Sequence, residues 1–159
     1  MLDKVLLIIY NRRRSYVLIK EEWCLKETDI AYLAGIIDGE GTITLTRMHN
    51  NENRRPVISI SSTDLELLYH INELIGGWIC KKKNYQPNKH KLSYTLIIKK
   101  KETVFFILTS TLPYLRVPSK IKRAKYILDN YERVTPRNGK YSDDLLLKKQ
   151  LFEQKFFQL

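Results

Sequence analysis

Two glycines inside a short apolar helix, followed at once by an acidic residue and a strand, constrain this chain more than any other feature. The stretch is Tyr32-Leu-Ala-Gly-Ile-Ile-Asp-Gly-Glu-Gly-Thr-Ile43. Ile30, Leu33 and Ile37 recur at helical spacing, and Thr28 or Asp29 is the expected N-cap. Ala31, Gly35 and Gly39 lie four apart and so share one helix face. A glycine in a helix interior costs about 1 kcal/mol relative to alanine, so some gain must offset each one. Close approach of a second backbone is the physical reason why small residues repeat every four positions along packed helices. Gly41 is expected to stop the helix with a positive φ. Alternation of Thr42, Thr44 and Thr46 with Ile43 and Leu45 then predicts a strand.

This arrangement puts Glu40 at the C-terminal end of a helix, where unpaired carbonyls already carry partial negative charge. A carboxylate is badly placed there for stability. It becomes well placed if a divalent cation sits beside it, held by carboxylate and main-chain oxygens. An isolated acid in a turn is usually just solvated, so the surrounding pattern has to decide.

That pattern resembles the motif of the LAGLIDADG homing endonucleases. Leu33-Ala-Gly-Ile-Ile-Asp-Gly-Glu-Gly41 matches it position by position, with Ile36 for leucine, Gly39 for alanine and Glu40 for the second aspartate. Glutamate keeps two hard oxygen ligands on a longer arm. The match is nine residues long and joins a predicted helix to a predicted strand, which makes it far more specific than a bare pair of spaced glycines.

A length of 159 residues suits one domain with a real core and room for a small extra segment. Residues 1–27 read as an N-terminal extension and 28–159 as the single domain. The chain carries 28 basic against 17 acidic residues, a formal charge of +11. Such an excess points to a polyanionic partner, nucleic acid before membrane. The two cysteines, Cys24 and Cys80, have neither metal-ligand spacing nor a disulfide framework, so a reducing intracellular compartment is expected. Richness in Lys, Ile, Asn and Tyr hints at an A·T-rich genome, compatible with an organelle (chloroplast or mitochondrion) or otherwise a microbial cytoplasm. No segment has the apolar length of a membrane span, and Arg12-Arg-Arg14 interrupts the apolar run at residues 5–10. That run is expected to be a short strand or helix, and the arginine triplet a source of phosphate contacts.

After the motif, strands are predicted at residues 42–48 and 54–62, around a polar turn at 50–53. Thr63 or Asp64 caps a helix through Leu65, Leu68, Ile71 and Leu74, which Gly76-Gly77 ends. Residues 78–85 and 92–99 read as a hairpin dense in lysine: Lys81–Lys83, Lys89, Lys91 and Lys99–Lys101. A lysine run usually guards a sheet edge against aggregation. Here it coincides with polar strand faces, which favours a DNA-facing sheet. A helix follows at about 103–111. Another starts at Pro118, its first turns rich in cations, which oppose the helix dipole and so call for nearby anions. Ser142 caps a last amphipathic helix whose Leu145, Leu146, Phe152, Phe156 and Phe157 are expected in the core.

The predicted order is similar to the family's αββαββα core. The resemblance implies an α+β fold in which a four-stranded antiparallel saddle lies over DNA, with extra C-terminal helices. One copy of the motif implies a homodimer, packed through Ala31, Gly35 and Gly39, on a long, roughly palindromic double-stranded site. It further implies Mg²⁺ or another divalent cation held by Glu40 and the Gly39 carbonyl, a lysine near the site, and a staggered double-strand break with 3′ overhangs. Lys120 is the choice for that lysine, with Lys122 behind it as an understudy or phosphate contact. A third position, often Gln or Asn at the end of the second strand, falls on Ser62. Asp38 is given a structural role, in capping or interface hydrogen bonds. The outward saddle residues Thr44, Thr46, Met48, Arg55, Ser59, Cys80, Lys82 and Thr95 are the expected base readers. Two alternatives stand on the same scaffold: a maturase that helps intron RNA to fold, and a DNA-binding regulator without catalysis.

Overall fold

Side chains that alternate along a strand must be sorted onto two faces, and the hydrophobic half decides which face is covered. The computed structural model describes residues 25–84, 89 and 91–159. The elements run α1 (Glu27–Glu40), β1 (Gly41–Thr46), β2 (Arg55–Ser62), α2 (Leu65–Ile75), β3 (Trp78–Lys81), β4 (Tyr94–Ile98), α3 (Lys101–Thr111), α4 (Pro118–Asn130) and α5 (Asp143–Phe156). A 3-10 turn, Glu132–Val134, separates the last two helices. The expected element at residues 5–10, the arginine triplet, Cys24 and the hairpin turn at 86–88 lie outside the described residues.

The strands form one antiparallel sheet in the order β1-β2-β4-β3. Register aligns Ile43, Ile58 and Ile98 in one row, and Ile60, Leu96 and Ile79 in the next. All but the edge residue Ile79 are buried, beneath α1 (Leu33, Ile37), α2 (Leu68, Ile71, Ile75) and α3 (Val104, Ile107, Leu108). Ala124 and Ile127 bring α4 into the same core, and Phe152 and Phe156 bring α5. The other sheet face carries Thr42, Ser59, Ile97 and Trp78 in one row, and among the described residues no helix packs on it. An antiparallel sheet tolerates one open face when that face is polar.

Several sequence expectations need correcting. Helix α1 starts at Glu27 with Lys26 as its N-cap and no side-chain cap bond, so Thr28 and Asp29 lie inside its first turn. Glu27 and Asp29 there place negative charge at the positive end of the dipole. Gly41 is extended (φ −87°, ψ 153°) rather than left-handed. It is glycine for steric reasons: a Cβ would sit 2.6 Å from the Ile37 Cα and 2.8 Å from its carbonyl oxygen. The positive φ belongs to Gly76 (69°) and Gly77 (142°), which end α2 as expected. Strand β1 stops at Thr46, short of Met48, and β3 is only four residues long. Strand β3 is an edge of the sheet, and the lysine run starts at its last residue, Lys81.

Helix α5 docks through more than its aromatic rings. Phe152 and Phe156 are buried, but Phe157 is half exposed beneath the Arg54 guanidinium, 5.1 Å from the ring centre. Glu153 accepts from the Arg54 backbone N–H and from its guanidinium, both at 2.8 Å, tying α5 to the entry of β2. Lys149, fully buried, donates to the Thr135 hydroxyl at 3.0 Å and lies 3.9 Å from the Tyr131 ring centre.

Candidate active site and nucleic-acid interface

The last turn of a helix leaves carbonyls without intrahelical donors, and the first turn of a helix leaves N–H groups without acceptors. At the C-terminus of α1 and the N-terminus of α4 these two deficits are met reciprocally. The Lys120 ammonium donates to the carbonyls of Ile37 and Asp38, each at 2.6 Å. In return the Asp38 carboxylate accepts from the backbone N–H of Arg116 at 2.6 Å and of Val117, the α4 N-cap, at 3.3 Å. An anion thus does stand at the start of α4, bonded to its backbone N–H groups and not to its cationic side chains. Asp38 has the capping role expected of it. The remaining cations of that helix diverge: Arg123 turns inward, 3.4 Å from the Ile43 carbonyl, while Lys122 and Lys125 are exposed.

Glu40 follows two residues after Asp38 and is exposed, with no ion-pair or hydrogen-bond partner among the described residues. Lys120 is thus brought to the same helix end as Glu40, with two of its three donors engaged. Ser62 is placed differently. It shares strand parity with Ile58 and Ile60, on the helix-covered side, and its hydroxyl accepts from the Asp64 N–H at 3.0 Å. Its neighbour Ser61 lies on the open face, 2.9 Å from the Thr95 hydroxyl.

The open sheet face gathers most of the predicted base readers. Thr44, Thr46, Met48, Ser59 and Thr95 line one shallow hollow of about 350 Å³, together with Arg47, Val57, Ile97 and Lys99. Val57 is buried here although it lies outside the hydrophobic core; it forms part of the floor of the hollow. Cys80 sits opposite Thr95 and donates to its carbonyl over 3.6 Å. Arg55 is opposite Thr46 and pairs with Glu52 at 3.1 Å while remaining exposed. Lys82 follows β3, held by its N–H to the Ser93 carbonyl at 2.9 Å. Lys122, on α4, is not part of the hollow.

One exposed residue of this face was missed. Trp78 stands opposite Ile97 on β3 and is 70% exposed. The signal was present in the sequence: two residues before Cys80 in an alternating strand is the same face. Ser61 and Lys99 are further members of this face; alternation along β2 places Ser61 outward with Arg55, Val57 and Ser59, as observed.

Divalent cations of the Mg²⁺ type keep several waters and take one or two carboxylates plus phosphate oxygens, not a full protein cage. Among the described residues no group of three or more His, Cys, Asp or Glu converges. Glu40 and the Gly39 carbonyl fit such a sparse donor set: the carboxylate is exposed and unpaired, and Lys120 caps only the two carbonyls before Gly39. On the outer side of α1, Ala31, Tyr32, Gly35 and Gly39 are all exposed. Among the described residues a Cβ built on Gly35 or Gly39 meets nothing within 4 Å, so the described part of one chain gives no reason for either glycine.

A family model described as a LAGLIDADG-like domain matches residues 27–108, just over half of the chain. The chain belongs to the LAGLIDADG family. No curated protein matches it in sequence. Among solved structures, this LAGLIDADG chain is similar to the homing endonuclease I-CvuI in complex with the I-CreI target and Mg, DNA not cleaved, at 20% identity and a TM-score of 0.65. That match covers 83% of this chain and 82% of I-CvuI. It is also similar to the archaeal intron-encoded homing endonuclease I-Vdi141I complexed with DNA (17% identity, TM-score 0.56, 83% and 84% of the two chains). I-SmaMI bound to an uncleaved DNA target with calcium ions gives 19% identity and a TM-score of 0.56, over 84% of this chain and 45% of that one. At such identities the likeness establishes the fold: the α+β architecture with its four-stranded antiparallel sheet is that of the homing endonucleases.

Proposed function

We propose that this LAGLIDADG protein is a site-specific double-strand DNA endonuclease of the intron-encoded homing type. It acts with Mg²⁺ or a similar divalent cation, as a homodimer on a long pseudo-palindromic site, and leaves 3′ overhangs. The observation that carries this reading is Glu40: a carboxylate exposed and unpaired at a helix end, with the Lys120 ammonium secured in the same turn. The solved relatives bound to DNA, and the Mg or calcium present with two of them, support the substrate class and the cation.

The open face would dock in the major groove. Thr44, Thr46, Ser59 and Met48 offer hydroxyl and apolar contacts to base edges, and Arg55 and Lys82 offer charge. Two copies packed through the open glycine face of α1 would bring two Glu40 carboxylates near the two strands. A divalent cation held by Glu40 and the Gly39 carbonyl would supply charge neutralisation at the phosphate and acidify water. The third Lys120 donor is left for a phosphate oxygen or the attacking water. Ser62 accepts from the Asp64 N–H and keeps its O–H to donate, while the Ser61 hydroxyl is shared with Thr95.

The test is a cleavage selection on a randomised duplex library, with and without Mg²⁺. One long sequence family should be cut only with the cation, and Glu40→Gln should bind that duplex without cutting it. Binding with no cation-dependent cut of any duplex would overturn the proposal. One observation favours the maturase reading as second: the exposed indole of Trp78, beside lysines on the sheet edge, suits stacking on unpaired bases better than a paired duplex. Stimulation of intron splicing by Glu40→Gln, lost in Trp78→Ala, would support it.

A further inference from the structure

The reciprocal caps between α1 and α4 join the catalytic candidates mechanically. We infer that Asp38 is a positioning residue: it sets where Lys120 stands relative to Glu40 by holding the start of α4. Lys120 is only three residues past Val117, whose carbonyl accepts from the Lys120 N–H at 3.0 Å. A shift of the segment at Arg116 and Val117 therefore moves the Lys120 backbone with it. The two Asp38 oxygens each take one donor of that segment, while Asp38's own carbonyl takes the Lys120 ammonium. One residue thus contacts the lysine's main-chain anchor and its side-chain terminus. Both sets of bonds close within the turn that ends on Glu40.

The inference rests on the endonuclease reading, with Glu40 and Lys120 as reacting groups, but part of it is measurable without cleavage. Asp38→Asn keeps one acceptor and loses the charge and the second oxygen. Val117→Pro removes one donor from the other side, at a residue whose φ of −74° a proline adopts. On a duplex selected with the wild-type protein, Asp38→Asn should slow single-turnover cleavage by about 10- to 100-fold, since small misplacement of reacting groups has effects of that order. Its affinity for the same duplex in Ca²⁺ should stay within about threefold, because no base or phosphate contact is touched. Val117→Pro should slow cleavage less, again without loss of affinity. A wild-type cleavage rate in Asp38→Asn, or a rate that falls only in parallel with affinity, overturns the inference.

If the wild-type protein cuts no duplex, the endonuclease reading fails on its own, and amide exchange then decides the clamp. Slow exchange at Arg116 and Val117 in the wild-type protein, with fast exchange at Arg116 in Asp38→Asn, supports it. Equal exchange in the two proteins overturns it.

Discussion

At the scale of single residues, Lys149 shows how a surface-type side chain is used inside. Its ammonium lies over the Tyr131 and Phe152 rings, and burial pushes its pKa down to about 8, partly offset by the Glu153 charge. A lysine with a lowered folded pKa binds fewer protons folded than unfolded between pH 8 and 10.5, so its contribution favours folding as pH rises through that window. Below pH 8 the charged form is held in both states and the desolvation cost is fully present. Lys149→Met should therefore raise stability at pH 7 by about 3 kcal/mol at most, a gain that shrinks toward pH 10. Urea melts of both proteins across that range check the sign. Gly41→Ala should do the reverse, destabilising by about 3 kcal/mol through overlap with Ile37. The need for glycine at position 41 was legible in the sequence, but its cause was not. Turn conformation is a local property, whereas the backbone of Ile37 comes close only once the helix and strand have met. An anion near the start of α4 was likewise called for by helix electrostatics, yet nothing in one dimension says that residue 38 reaches residue 116.

At the scale of elements, period-2 alternation was enough to orient β1, β2 and β4, because each has a run of branched apolar residues on one side and hydroxyls on the other. That is why Thr44, Thr46, Ser59 and Thr95 were found in advance. Alternation failed to pick out Trp78, whose bulk invites a core reading although its parity matches Cys80. Ser62 came from the resemblance and not from alternation; its parity with Ile58 and Ile60 puts it on the helix-covered side, and at a strand end one residue reverses the face. Two predictions belong here. Lys82→Ala should weaken binding to all duplexes alike and flatten the plot of log affinity against log salt by about one per subunit. Ser59→Ala should leave that slope unchanged and relax preference at one base step, with a loss of about 1–3 kcal/mol for the preferred base. Titrations at several salt concentrations on selected and scrambled duplexes separate the two.

At the scale of the whole molecule, the core explains the helices over the sheet, and the excess of 28 basic over 17 acidic residues suits the polyanionic partner proposed for the polar sheet face. Neither explains Gly35 and Gly39. In the isolated chain Gly35→Ala should stabilise α1 by about 1 kcal/mol, since a Cβ there meets open space. In a dimer packed through this face the same methyl intrudes, so Gly35→Ala should weaken self-association while raising the monomer's melting temperature. A helix that is better alone and worse in company is the signature expected of a two-copy interface. It is most directly read by cross-linking. In a background with Cys24 and Cys80 replaced by serine, Ala31→Cys sits on the exposed glycine face, and Asp129→Cys on α4 serves as the control. A residue beside a two-fold axis meets its own copy, within the roughly 4.4–6.8 Å that a disulfide spans between Cα atoms. Mild oxidation should convert Ala31→Cys to covalent dimers that still cut the selected duplex, and leave Asp129→Cys monomeric. No dimer at position 31, or equal cross-linking at both positions, would contradict the paired-helix account.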